Sequence, residues 1–157
     1  MLTVNIYSIG KIKSKAQREL EAEYIKRLSA FLNLKLIEIP VAHSASLSPK
    51  ERRAQESQKF LAKIKPSQFL IVLDENGIEL SSQKFADKIS SLRESGTDEI
   101  SFAIGGTDGW HQSVKDKAGL ILSLSRMTFP HQLTRLILIE QLYRAASIIL
   151  NKPYHRE

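Results

Sequence analysis

The chain has 157 residues, 42% hydrophobic and 25% charged, enough for one soluble globular domain with a real core. It holds no cysteine, which excludes disulfides, a thiol nucleophile and thiolate zinc sites, and suits a reducing cytoplasm. The formal net charge of +6 is uneven: residues 1–65 carry 13 Lys/Arg against 6 Asp/Glu, while residues 66–157 carry 10 against 11. A polyanion partner met by the first half is one reading of that excess, and a lysine-rich solvated face is the other.

The lysines of MLTVNIYSIGKIK follow its apolar run rather than precede it, so no signal peptide is expected. No apolar stretch approaches the roughly 20 residues of a membrane span. Residues 2–7 alternate, with Leu2, Val4 and Ile6 on one face and Gly10 close behind, which predicts a first strand. Leu20, Tyr24, Leu28 and Phe31 recur at helical spacing and predict a helix over 16–32. Residues 34–39 read as a second strand, stopped by Pro40. The small, polar stretch VAHSASLS predicts a loop, with the composition of a mobile connection.

Ser48-Pro49 carries the N-cap and first-position signature of a helix running to about Ile64. FLIVL at 69–73 is an unbroken apolar run ended by DENG, a buried strand and its turn. There follow a helix over 82–92, a buried strand over 100–104 with Gly105-Gly106 as a sharp exit, a short helix over 114–118 and a last strand over 120–124. Strands alternating with helices, without repeat or linker, predict one α/β domain over 1–157. Its mostly parallel sheet is covered by helices on both faces.

The last helix, expected over 131–151, is apolar around most of its circumference. A helix covering one face of a sheet needs only a stripe. Burial of the second side points to another copy of the chain, a homodimer. Glu140, Arg144, Ser147 and Asn151 leave one polar stripe, within which a Glu140–Arg144 ion pair is the plain structural account.

Ligands of open parallel sheets bind beyond the carboxyl ends of the strands. Three ends are distinctive: LDENG, IGGTDGW and SLSRMTFPH. IGGTDGW has neither the glycine spacing of a dinucleotide loop nor the Lys-Ser/Thr of a phosphate loop. Gly105-Gly106 is compatible with a tight turn or with close approach to a flat ligand. The four histidines are scattered without metal-ligand spacing, and no serine sits in a nucleophile elbow. Leu, Met and Phe with the hydroxyls of Ser125 and Thr128 make a lining suited to an adenine-bearing cofactor, with no group to cleave anything.

FAIGGTDGW, LSLSRMTFPHQLTR, LIEQLYRAASI and the ending NKPYHRE, with YSIGKIK and EYIKRL earlier, resemble the ribosomal-RNA large-subunit methyltransferase H family over nearly the whole chain. VAHSASLS has no counterpart in that resemblance. The resemblance implies a SPOUT-class enzyme whose carboxyl-terminal segment is threaded into a trefoil knot, an exception to the rule against knots. It implies S-adenosylmethionine as cofactor and dimerisation through the knotted region. The implied reaction is methylation of N3 of a pseudouridine in large-subunit (23S) rRNA, with the rRNA or the ribosome as partner; composition adds a cytoplasmic location, and histidine spacing no metal. Mapped onto this chain, the cofactor contacts are Leu73, Gly105, Leu124, Ser125, Arg126, Met127, Thr128 and Phe129.

Methyl transfer from a sulfonium needs alignment more than acid–base power, but the N3 proton must leave. His155 is the candidate to accept or relay it, and Arg144 to stabilise the resulting anion. A tail residue touching RNA phosphate is the competing account of His155. Tyr154 is a candidate to stack on a base and Arg156 to contact phosphate. The alternative function is a non-enzymatic, dimeric RNA-binding protein with a vestigial cofactor pocket.

Overall fold

The computed structural model describes residues 1–156, with His155 and Arg156 described in backbone only. Five strands, β1 (Thr3–Ile9), β2 (Asn33–Ile39), β3 (Phe69–Glu79), β4 (Glu99–Ile104) and β5 (Leu120–Ser123), form one sheet in the order β2-β1-β4-β3-β5. Every pairing is parallel. The helices are α1 (Lys15–Leu28), α2 (Pro49–Leu61), α3 (Ser82–Glu94), α4 (Gln112–Lys115) and α5 (His131–Ile149), followed by a 3-10 turn at Pro153–Arg156. The α/β class and helices on both faces agree with expectation.

Alternation along the strands divides the core in two. Val4, Ile6, Ile71, Ile100 and Phe102 point to one face and pack under α1, α3 and α5. Tyr7, Ile9, Val72 and Ala103 point to the other, where Phe60 of α2, Trp110 and Val114 of α4 cover them. Phe60 is wedged edge-on against Tyr7 at 5.2 Å and tilted against Trp110 at 4.8 Å, so that α2 lies close to the carboxyl ends of β1 and β4. The α2 start is the capping box that Ser48-Pro49 announced. Ser48 Oγ accepts from the Glu51 amide at 3.2 Å, and a Glu51 carboxylate oxygen accepts from the Ser48 amide at 2.7 Å.

Two expectations are corrected. DENG is not the end of the third strand: β3 continues through it to Glu79. Leu73 and Ile78 both pair with Leu122 of β5, so the four residues between them form an irregular excursion on one long strand. Gly77 makes this possible, because a Cβ there would lie 2.7 Å from the Ile121 carbonyl. The second correction concerns α1. Leu20 is 41% exposed, whereas Glu21 is 2% exposed and faces the interior. Tyr24, Leu28 and Phe31 do pack on the core, but a buried ion pair with Arg135 places Glu21 rather than Leu20 on the inner side.

Candidate active site

Since β4 lies between β1 and β3, the carboxyl ends of β4, β3 and β5 stand side by side, and α5 starts beside them. Together they enclose a cleft of about 920 Å³. Its apolar walls include Leu73, Ile104, Leu122, Leu124 and Phe129. Of the cofactor contacts expected from the sequence, Leu73, Gly105, Leu124, Ser125, Met127, Thr128 and Phe129 all line it. Arg126 does not: its side chain is 91% exposed and pairs with Glu79 at 2.9 Å.

The 124–130 segment is shaped by its own hydroxyls and by the β3 excursion. Ser123 Oγ donates to the Ser125 carbonyl at 2.9 Å, and Ser125 Oγ accepts from the Met127 amide at 3.0 Å. Thr128 Oγ1 donates to Glu75 at 3.0 Å. Thr128–Glu75 and Arg126–Glu79 thus tie the segment to the two ends of the excursion in β3. Met127, between them, is 75% exposed. The many specific side chains of this connection serve a three-dimensional fold of the loop that two turn residues cannot supply.

Gly105-Gly106 forms a tight turn with Gly109. Gly109 donates its amide to the Gly106 carbonyl at 3.1 Å and adopts φ +70°. A Cβ on Gly105 would lie 3.1 Å from the Gly109 backbone, and one on Gly106 would lie 3.1 Å from Glu56 Oε1. The loop's own packing is therefore tight around both glycines, before any ligand is considered.

Several residues of the site carried no local signal. Asp74 and Lys115 line the cleft and pair at 2.6 Å. Burial works to raise the Asp74 pKa, but the Lys115 ammonium and the Asn76 amide outweigh it and hold the carboxyl below its ordinary range. Arg52 reaches Asp108 at 3.0 Å. Glu56, 1% exposed, accepts from the Ala42 amide at 3.2 Å, and burial, with Asp108 nearby, pushes its carboxyl upward. His131 lines the cleft at the first turn of α5, where burial and the Arg135 charge depress its pKa. Beneath it, Arg135 binds Glu21 at 2.6 Å, Glu38 at 3.1 Å and Ser8 at 3.3 Å. These partners come from three separate elements, α1, β2 and β1, so only a three-dimensional fold could have announced them.

The cleft wall carries Asp74, Glu75 and Asp108 against Arg53 and Lys115, and Arg52 pairs with Asp108 from beside it, so the formal charges balance. Apolar walls suit the adenine ring of S-adenosylmethionine, and the volume is within the usual range of roughly 300–1,000 Å³ for ligand sites. Among the described residues no group of three or more His, Asp or Glu is arranged to hold a metal. No helix of the described residues is long and apolar enough to cross a membrane.

The tail candidates gather elsewhere. Arg144 binds Glu140 through Nε at 3.1 Å and Nη2 at 2.8 Å, the ion pair expected on the polar stripe. Tyr154 packs on Tyr143 at 4.6 Å, lies under the Arg144 guanidinium at 5.1 Å, and donates its hydroxyl to Glu140 at 3.2 Å. Burial, then the hydrogen bond with Tyr24 and the Glu140 charge, raise its pKa far above the ordinary tyrosine value. The side chains of His155 and Arg156 lie outside the described residues. Arg144 is 13 residues beyond His131 on one helix, about 20 Å along its axis at 1.5 Å per residue, so this cluster and the cleft stand apart within one chain.

The chain matches the family described as predicted SPOUT methyltransferase over residues 2–155. It is 44% identical to "Ribosomal RNA large subunit methyltransferase H" of Carboxydothermus hydrogenoformans, over 99% of this chain and 100% of that protein. It is 43% identical to the protein of the same name from Finegoldia magna and 41% identical to that from Clostridium botulinum, with the same coverage in both. A parallel sheet, a cleft at its carboxyl ends built from the motif loops, and this similarity from end to end make one conclusion: the chain belongs to the SPOUT methyltransferase family, among the proteins called ribosomal RNA large subunit methyltransferase H.

Proposed function

We propose that the protein transfers a methyl group from S-adenosylmethionine to N3 of a pseudouridine in large-subunit (23S) rRNA, in the cytoplasm. The observation that carries this reading is the cleft itself. It is lined by seven of the eight cofactor contacts expected from the motifs, in a chain whose relatives are named for methylation of large-subunit rRNA. S-adenosylmethionine supplies an electrophilic methyl group on a sulfonium. In this reading Leu73, Leu124 and Phe129 hold the adenosyl part, Ser125 and Thr128 shape the loop around it, and Gly105 keeps the opposite wall tight. The trefoil knot that the family implies remains part of the proposal.

The substrate nitrogen must lose its proton before or during attack. His155 is proposed to accept it and Arg144 to stabilise the negative charge on the ring, with Tyr154 and Arg156 holding the RNA. Because the tail cluster and the cleft of one chain are about 20 Å apart along α5, these roles require a second copy whose tail meets the first copy's cleft. The outer face of α5 supports such a homodimer. Leu133 is 42% exposed, and Leu136, Ile137 and Ile148 are only half-buried.

The deciding experiment incubates the protein and labelled S-adenosylmethionine with ribosomes from a strain lacking this activity, then digests the rRNA to nucleosides for mass spectrometry. Label in N3-methylpseudouridine is the expected result. Label in another nucleoside would move the target, and cofactor binding without any transfer would leave a dimeric RNA-binding protein.

A further inference from the structure

The loop VAHSASLS, which neither the motifs nor the cleft absorbs, borders a second depression of about 480 Å³ lined by residues 41–45, Arg52 and Thr107. Its floor is fixed: Ala42 is 3% exposed and donates its amide to Glu56. The Arg52–Asp108 pair ties α2 to the glycine turn on the other side. Thr107 also lines the cleft, so the two depressions meet there, with Arg52 facing the groove and Arg53 facing the cleft.

Arg53 differs from the other arginines around the site. Arg52, Arg126, Arg135 and Arg144 are each paired with a carboxylate. Arg53 has no hydrogen bond or ion pair among the described residues, and its Nε is buried without an acceptor. The residue is half-buried on the cleft wall. Although Glu56 Oε1, three residues along α2, is likewise buried without a donor, no carboxylate binds Arg53, so its guanidinium can take an anionic oxygen from a ligand. The groove beside it is open, is lined apart from Thr107 by residues of the basic first 65, and carries the exposed His43.

We propose that the groove between the 41–45 loop and α2 is the path by which the RNA strand enters the cleft, and that Arg53 holds a phosphodiester oxygen at the junction and so sets the target base against the methyl donor. This rests on the proposed methylation of RNA. It gives the 41–48 loop a role in RNA binding and makes Arg53 a positioning residue that touches substrate backbone, not the reacting atoms.

Arg53→Gln, Arg53→Lys and His43→Glu test it, with circular dichroism and melting curves as fold controls. Three quantities are read: S-adenosylhomocysteine affinity by calorimetry, binding to unmethylated large subunits across a potassium chloride series, and initial methyl-transfer rates. Arg53→Gln should raise KM for ribosomes about tenfold and flatten the plot of log affinity against log salt by about one unit, the share of one phosphate contact. Cofactor affinity should stay within twofold, and Arg53→Lys should keep most of the salt dependence. His43→Glu should weaken ribosome binding without touching cofactor affinity.

If Arg53→Gln weakens S-adenosylhomocysteine tenfold and leaves ribosome binding intact, the guanidinium serves the cofactor's carboxylate and the proposal is wrong. Unchanged ribosome binding in both Arg53→Gln and His43→Glu also overturns it. Should Arg53→Gln unfold, His43→Glu on the exposed loop decides alone. If the wild type transfers no methyl group to ribosomes, the proposed reaction fails. The salt-dependent binding comparison then still upholds the groove or removes it.

Discussion

Arg135 and Glu21 are each 3% exposed at the side chain, a charge pair shut inside the molecule under the cleft. Such a pair is weak evidence of stability by itself, but removing one partner strands the other in a low dielectric. Glu21→Ala should therefore lower the urea-measured unfolding free energy by about 3–5 kcal/mol. A double replacement, Glu21→Leu with Arg135→Met, should recover most of that loss. His131, at the mouth of the same network, gives a pH prediction. Its folded pKa lies below the unfolded value of about 6.5, so below that pH the unfolded chain binds more protons than the folded one. Stability is then fully present above about pH 6.5 and is lost as pH falls toward the depressed folded value. Wild-type Tm should decline between pH 7 and 5 and His131→Gln should flatten that decline, while an unchanged slope would remove His131 as its source.

Among the elements, β3 and the 124–130 segment make the cleft together. The Arg126–Glu79 pair is exposed and contributes at most about 1 kcal/mol, so Arg126→Ala should leave the melting temperature nearly unchanged. Gly77 is another matter, because a methyl group there meets the Ile121 and Leu122 backbone at 2.7–2.8 Å. Backbone cannot step aside as a side chain can. Gly77→Ala should cost about 1–3 kcal/mol and, by prising β3 from β5, should lower S-adenosylhomocysteine affinity in calorimetry. Native stability and native affinity together would show that the excursion does not shape the cleft. DENG was legible as a chain reversal signal, and it does contain an Asx turn, with Asn76 donating its amide to Asp74 at 2.8 Å. That the strand resumes afterwards depends on β5, more than forty residues later, and no local pattern carries it.

For the whole molecule, the separation of the tail cluster from the cleft makes oligomeric state a question about catalysis. Light scattering at micromolar concentration should give twice the chain mass of 17.8 kDa. Ile137→Glu with Leu133→Glu, placed on the half-exposed face of α5, should yield a folded monomer that still binds S-adenosylhomocysteine but transfers methyl at least about tenfold more slowly, a loss of roughly 1.4 kcal/mol in transition-state stabilisation. A monomer with full activity would sink the shared site. Mixing Leu124→Arg protomers, blocked in the cleft, with His155→Ala protomers should restore activity, since one of the two sites in a mixed dimer would have both halves intact.

Although β3 runs on to Glu79, α1 stops at Leu28 and α4 spans Gln112–Lys115 rather than 114–118, the amino-acid sequence by itself determined the number and order of the five strands and five helices and the α2 cap. These follow from periodicity and from Gly, Pro and Ser at turns, all of which act within a few residues. The family resemblance carried by the chain's motifs named eight contact residues, of which seven line one cleft at the strand carboxyl ends, where ligands of a parallel sheet gather. Only the tertiary structure decided that Leu20 turns outward and Glu21 inward, since the Arg135 guanidinium that receives Glu21 lies 114 positions away. The insertion of β4 between β1 and β3, the assembly of the groove beside Arg53, and the long reach from the cleft to Arg144 were likewise fixed by pairings between distant segments. The physical reason is common to them all: hydrogen bonds and ion pairs across the fold are chosen by which backbones come together, and local composition does not contain that choice.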